Sequence, residues 1–148
     1  LSFPVEIQAY TSPYGQRINP VTGQSQFHRG LDIAAPRGSY IRNWWSGQLV
    51  SLSDNTACGT MLVIASGSWE HIYCHLEGEV GSDSEGTYFY DSGANIMIRQ
   101  NQIVPGGARI ARVGMSGRTT GPHLHWGLKF NGNYIDPAIV LREMYKNQ

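Results

Sequence analysis

The chain has 148 residues, 11 of them basic and 11 acidic, so its formal net charge is zero and nothing marks a nucleic-acid binder. Hydrophobic residues make up 41% and charged residues 15%, which excludes a disordered chain and suits one packed domain spanning 1–148. No stretch approaches the roughly 18 apolar residues of a membrane span. The opening residues do not read as a signal peptide, and the abrupt start at Leu1 is expected of a mature or trimmed product whose export signal is not visible.

Eighteen glycines suggest many tight turns and an all-β architecture, mainly antiparallel. Residues 1–26 read as an extended, turn-rich segment with turn signals at Ser12-Pro13-Tyr14-Gly15 and Asn19-Pro20-Val21-Thr22-Gly23. A short strand is expected over 27–35, a turn at Pro36-Arg37-Gly38, and one or two strands around Gly47. Thr60 to Ala65 and Glu70 to His75 read as the arms of a hairpin turning at Ser66-Gly67-Ser68. That hairpin would set Cys58 opposite Cys74, so a cross-strand disulfide is expected, with two unrelated buried thiols as the alternative. A disulfide would suggest an oxidising compartment.

Residues 77–95 are rich in Gly, Ser, Asp and Glu, followed by short strand candidates at 96–98 and 110–113. A Gly/Ser/Thr loop over 114–122 leads into a strand over 123–130 and the hairpin turn Asn131-Gly132. Only Pro137 to Lys146 has helical character, with Ile139, Val140, Glu143 and Met144 at helical spacing after a proline start. The fold expected is therefore all-β with a short C-terminal helix.

Two short patterns carry chemistry. In His123-Leu124-His125-Trp126, strand alternation sends both imidazoles to one face and Leu124 and Trp126 to the other. In His28-Arg29-Gly30-Leu31-Asp32, an extended chain puts His28, Gly30 and Asp32 on one face, and Gly30 leaves room for a group close to the backbone. Imidazole and carboxylate are both zinc ligands, and two histidines with one aspartate would leave a fourth position open, the pattern of a catalytic site. The cysteines do not have zinc-finger spacing.

In these residues the chain resembles the M23 metallopeptidases, the lysostaphin-type peptidoglycan endopeptidases, over nearly its whole length. The resemblance is carried by Ser12-Pro13-Tyr14-Gly15-Gln16-Arg17, Pro20-Val21-Thr22-Gly23, residues 27–38, Gly47, Tyr73-Cys74-His75-Leu76, Val113-Gly114-Met115-Ser116-Gly117, Thr120-Gly121-Pro122-His123-Leu124-His125, Asn131-Gly132 and Asp136-Pro137. It implies one Zn²⁺ held by His28, Asp32 and His125, with His75 and His123 as catalytic histidines acting on the water and the transition state. It places His75 at the end of a neighbouring strand. Alternation would then put His71 and Tyr73 on the same face and Ile72, Cys74 and Leu76 on the other.

Asn19, His71 and Tyr73 are candidate groove residues; an exposed strand position for His71, and packing or turn formation for the other two, are their alternatives. The resemblance implies a zinc metalloendopeptidase acting on peptidoglycan peptides, extracellular or periplasmic and monomeric. The alternative is a non-catalytic domain of the same fold that binds wall or activates an amidase, and all five site positions being present favours the enzyme.

The chain departs from compact members between His75 and His123. The excess near 78–95 reads as an inserted acidic loop or hairpin on the groove rim, which could favour a substrate with a free amine; a plain solvated loop is the alternative. Cys74 stands where relatives often have alanine, and a cysteine facing away from the site fits the disulfide.

Overall fold

The computed structural model describes residues 1–6, 9–19 and 22–148. In chain order the strands are β1 (Ala9–Ser12), β2 (Gly15–Ile18), β3 (Ser25–His28), β4 (Leu31–Ala34), β5 (Tyr40–Arg42), β6 (Gly47–Ser53), β7 (Thr60–Ser66) and β8 (Trp69–Leu76). They continue with β9 (Glu79–Asp83), β10 (Gly86–Asp91), β11 (Ile96–Arg99), β12 (Ile103–Val104), β13 (Arg109–Arg112), β14 (His123–Phe130) and β15 (Asn133–Ile135), and the chain closes with helix α1 (Pro137–Lys146). The all-β expectation is met, and every described strand pairing is antiparallel. Pro20 and Val21 of the Asn19–Gly23 turn signal lie outside the described residues.

The main sheet runs β1-β4-β14-β8-β7-β6-β12, with β15 paired to β14. Its inner face is built by period-two alternation. Leu31, Ile33, Leu124, Trp126, Leu128, Leu62 and Ile64 are fully buried there. The register locks this face: Leu31 lies opposite Trp126 and Ile33 opposite Leu124. Slipping it by one residue would turn these side chains to water.

Helix α1 covers one end of the core. Asp136 caps it by accepting from the Ala138 N–H at 2.9 Å, and Pro137 occupies the first turn. Its buried face is Pro137 and Leu141, with Ala138, Val140 and Met144 packed at the edge. Ile139, one of the residues at helical spacing, is 49% exposed. The turn Asn131-Gly132 has φ of 50° and 80°, as a two-residue hairpin with positive φ at both centres requires.

Three expectations are corrected. The strand expected over 27–35 is two strands, β3 and β4, broken at Arg29-Gly30 and belonging to different sheets. The segment expected as an acidic loop or hairpin does contain the hairpin, β9-β10, but is no plain loop: β11 extends it into a separate three-stranded sheet. Its aspartates are taken by arginines: Asp83 pairs with Arg99 at 2.7 Å, and buried Asp91 with Arg112 at 2.8 Å.

The third correction concerns β8. Thr60 opposes Leu76 while Leu62 opposes Tyr73, so β8 carries one extra residue, and His75 takes a left-handed φ of 64°. This bulge breaks the alternation that would have grouped His71, Tyr73 and His75.

Candidate functional site: a histidine-aspartate cluster in an open cleft

Four of the five histidines meet in one cleft at the end of the main sheet. The register of β4 against β14 sets His125 directly opposite Asp32, both on the face away from the core. Asp32 Oδ1 lies 2.9 Å from His125 Nδ1 and 3.3 Å from His28 Nε2. The two imidazole nitrogens are 3.1 Å apart. His28 arrives from the end of β3, carried over Asp32 by the Arg29-Gly30 break.

These three atoms fit a metal ion. Zinc bonds of about 2.0–2.1 Å in a tetrahedral site set ligand atoms about 3.3 Å apart, close to the three separations above. His28, Asp32 and His125 form the group among the described residues whose ligand atoms all lie within 4.8 Å of one another. His28 Nδ1 donates to the Pro13 carbonyl at 2.8 Å, which leaves Nε2 bare and aimed inward. Burial raises the Asp32 carboxyl pKa, but hydrogen bonds and charge from His125 and His28 outweigh it and hold the group well below the usual carboxylate range.

Gly30 explains how His125 reaches the cluster. A β-carbon there would come within 2.6 Å of His125 Cε1 and Nε2 and 2.9 Å of the Trp126 carbonyl. The group close to the backbone is the imidazole ring itself.

His123 and His75 lie beside the cluster. Their ring centroids are 4.8 Å apart, and His123 Nε2 is 3.6 Å from Asp32 Oδ1. Each has Nδ1 against a backbone carbonyl: Gly121 for His123 at 2.9 Å, Ser116 for His75 at 2.8 Å. A carbonyl accepts only, so Nδ1 carries the proton and Nε2 is presented in both rings. Desolvation pushes the His75 pKa below its ordinary value, against the Ser116 carbonyl, which pulls it up.

The groove expectations divide. Asn19 lines the cleft, and its amide donates to Gln26 Oε1 at 3.0 Å. His71 and Tyr73 do not: both are fully buried on the core face, opposite Leu128 and Trp126. His71 bridges Ser66 Oγ at 2.8 Å and the Tyr73 hydroxyl at 2.6 Å, and that hydroxyl accepts from the Trp44 N–H at 3.0 Å. Desolvation lowers the His71 pKa to about 3 and raises that of Tyr73.

Cys58 and Cys74 are disulfide-bonded, with Cα atoms 5.1 Å apart. Cys74 opposes His125 in the register, so it faces the site side of the sheet and not away from it. No residue of β9, β10 or β11 is among those lining the cleft. Arg17, Gln26, Arg118, Thr119 and Thr120, not singled out from sequence, do line it. They come from a hairpin and a loop with no periodicity to assign their direction.

Fold and cleft together define a β-sheet protein with an open two-histidine, one-carboxylate cluster, the donor set of a catalytic rather than a closed structural metal centre. The family model described as Peptidase family M23 matches residues 26–137, and the chain belongs to that family. It is 32% identical over 142 residues to the DD-carboxypeptidase/endopeptidase Mpg of Neisseria meningitidis serogroup B, covering 93% of this chain and 29% of that protein. It is 30% identical to the peptidoglycan DD-endopeptidase ShyC of Vibrio cholerae, covering 95% of this chain and 29% of that one. A zinc containing peptidase from Vibrio cholerae of known crystal structure shares the fold with a TM-score of 0.73 at 29% identity, over 90% of this chain and 37% of the other. The chain thus spans under a third of the length of these two curated relatives.

Proposed function

We propose that the chain is a zinc-dependent endopeptidase that hydrolyses peptide bonds of bacterial peptidoglycan in the cell envelope. The observation that carries this reading is the meeting of His28, Asp32 and His125 within 4.8 Å, with His75 and His123 beside them. The relatives named for peptidoglycan endopeptidase activity support the substrate class, and an envelope location agrees with it. The Cys58–Cys74 bridge agrees with an oxidising compartment. Among the described residues no helix is long and apolar enough to cross a membrane.

His28 Nε2, Asp32 Oδ1 and His125 Nδ1 would hold the ion. Zinc, when bound, supplies Lewis-acid polarisation of the scissile carbonyl and makes water acidic enough to react near neutral pH. The chain's own part is proton handling. His123 presents Nε2 toward the cluster, the His75 ring packs against the His123 and His125 rings, and Gly121 and Ser116 fix the rings of His123 and His75. One takes a proton from the attacking water at Nε2 and passes that same proton to the departing amine; the other, in its imidazolium form, donates a hydrogen bond to the oxyanion and keeps its proton. Among the described residues no glutamate lines the cleft to act as base.

The test is digestion of purified walls of different cross-link chemistry, with new amine termini identified by mass spectrometry. Release of new termini that stops on chelation and returns with zinc supports the reading. Intact walls with zinc-loaded protein refute it.

A further inference from the structure

The charge in the cleft is unbalanced. Among the described residues its one carboxylate is Asp32, already engaged by His125 and His28. Two guanidiniums line it as well, Arg17 on β2 and Arg118 on the loop after Gly117. Elsewhere, Arg37, Arg99 and Arg112 are matched by Glu77, Asp83 and Asp91. Arg118 has no ion-pair partner among the described residues and is exposed.

Arg17 is the more telling of the two. Its Nη1 donates to Ser12 Oγ and stands 4.0 Å from Asp32 Oδ2, too far for a hydrogen bond. Its Nε is buried without a partner among the described residues, and the side chain is 31% exposed. A guanidinium anchored at one nitrogen, with donors to spare, suits a planar two-oxygen acceptor. Any group bound there lies within about one residue length of the cluster.

Resting on the peptidase reading above, we propose that Arg17 is a specificity-determining residue that receives a carboxylate of the peptide substrate beside the scissile bond, with Arg118 adding to the attraction. The substrate class is then a peptide bearing a carboxylate at the cleavage point, the opposite of the free-amine preference expected from the acidic segment. The competing role for Arg17 is support of Asp32 alone.

The experiment uses the full chain and wall peptides in two forms, the free acids and the carboxamides made with carbodiimide and ammonia. In calorimetric titrations of the metal-free protein, wild type binds the acids about tenfold or more tightly than the amides. Arg17→Gln brings that ratio near one, and Arg17→Lys restores part of it. The acid-to-amide ratio of kcat/KM of the zinc-loaded protein follows the same order, with unchanged zinc per chain. Equal affinity of wild type for both forms overturns the proposal. An Arg17→Gln loss that leaves the ratio intact, or that comes with zinc loss, also overturns it, since Arg17 then serves Asp32. Selective acid binding without any cleavage upholds Arg17 and sinks the peptidase reading. Indifferent binding with cleavage of both forms does the reverse.

Discussion

Asp32 and His125 are 93 residues apart in sequence yet face one another across two neighbouring strands, with Oδ1 and Nδ1 2.9 Å apart. The pairing that buries Leu31 against Trp126 on one face of the sheet brings these two polar groups together on the other. Core packing and the proposed metal centre therefore depend on the same register.

That arrangement separates two classes of variant. His28→Ala, Asp32→Ala or His125→Ala should lose zinc, read as metal per chain by mass spectrometry after dialysis. His75→Ala and His123→Ala should keep zinc and lose hydrolysis by about 10²–10⁴-fold. Loss of zinc from either of the latter would contradict the division of roles.

Gly30→Ala should act as a ligand mutation without touching a ligand. The new methyl falls within 2.6 Å of the His125 ring, and Trp126 O at 2.9 Å closes the other way out. A drop in zinc affinity of about tenfold or more is expected, with the β-sheet circular dichroism kept. Unaltered affinity would show that the ring has another seat.

The Cys58–Cys74 bridge should matter for stability and for His75. It closes a sequence separation of 16, for which loop-closure entropy gives about 3 kcal/mol. The Cys58 carbonyl also accepts the His75 N–H at 2.8 Å. The double variant Cys58→Ser/Cys74→Ser should melt roughly 10 °C lower and hydrolyse walls more slowly at temperatures where it is still folded. Two reactive thiols titrated in the unreduced native protein would refute the bridge.

His71 should shape the acid limb of stability. Burial holds its pKa at about 3 in the folded protein, against about 6.5 unfolded. The unfolded chain therefore binds an extra proton between those values, and stability rises with pH across that window. The contribution is full above pH 6.5 and fades as pH falls toward 3. His71→Gln should be less stable at pH 7 and should show a shallower slope from pH 6.5 to 4 in urea melts. Zinc release affects both proteins alike, so the slope difference belongs to His71. Identical slopes would sink the assignment.

Asp91→Asn should destabilise the three-stranded sheet by about 2 kcal/mol, because the buried carboxylate takes two hydrogen bonds from Arg112. The Arg112 guanidinium, opposed by desolvation, holds its pKa below the ordinary value. Its stabilisation is present above the unfolded pKa near 3.9 and is lost as pH falls through the folded value. Wild type should lose this advantage over the variant in strong acid. Cleavage of wall peptides should change little, since no residue of this sheet lines the cleft.

Much of the architecture was legible because it rests on local rules. Alternation over 123–130 marked β14 with its two faces, Asn131-Gly132 marked its turn, and Asp136-Pro137 marked the start of α1. His28, Asp32, His123 and His125 stood out as histidines and an aspartate sharing strand faces beside Gly30, while His75 and the roles of all five came from the resemblance to the M23 metallopeptidases. The disulfide partners followed from hairpin symmetry.

Alternation failed where one residue left it. The extra residue in β8, with His75 at positive φ, turned His71 and Tyr73 into the core and Cys74 toward the site. A strand-period argument cannot see this, because the bulge comes from pairing with β7, a non-local choice. The acidic run likewise read as a solvated loop until cross-strand pairing and Arg99 and Arg112 organised it. Arg17 and Arg118 joined the cleft only through tertiary placement. The sequence by itself determined which residues have strong enough local preferences to form strands and to offer metal-binding groups. Which of them face the same empty space was decided by register and bulge, since those are settled by burial of partners distant in the chain.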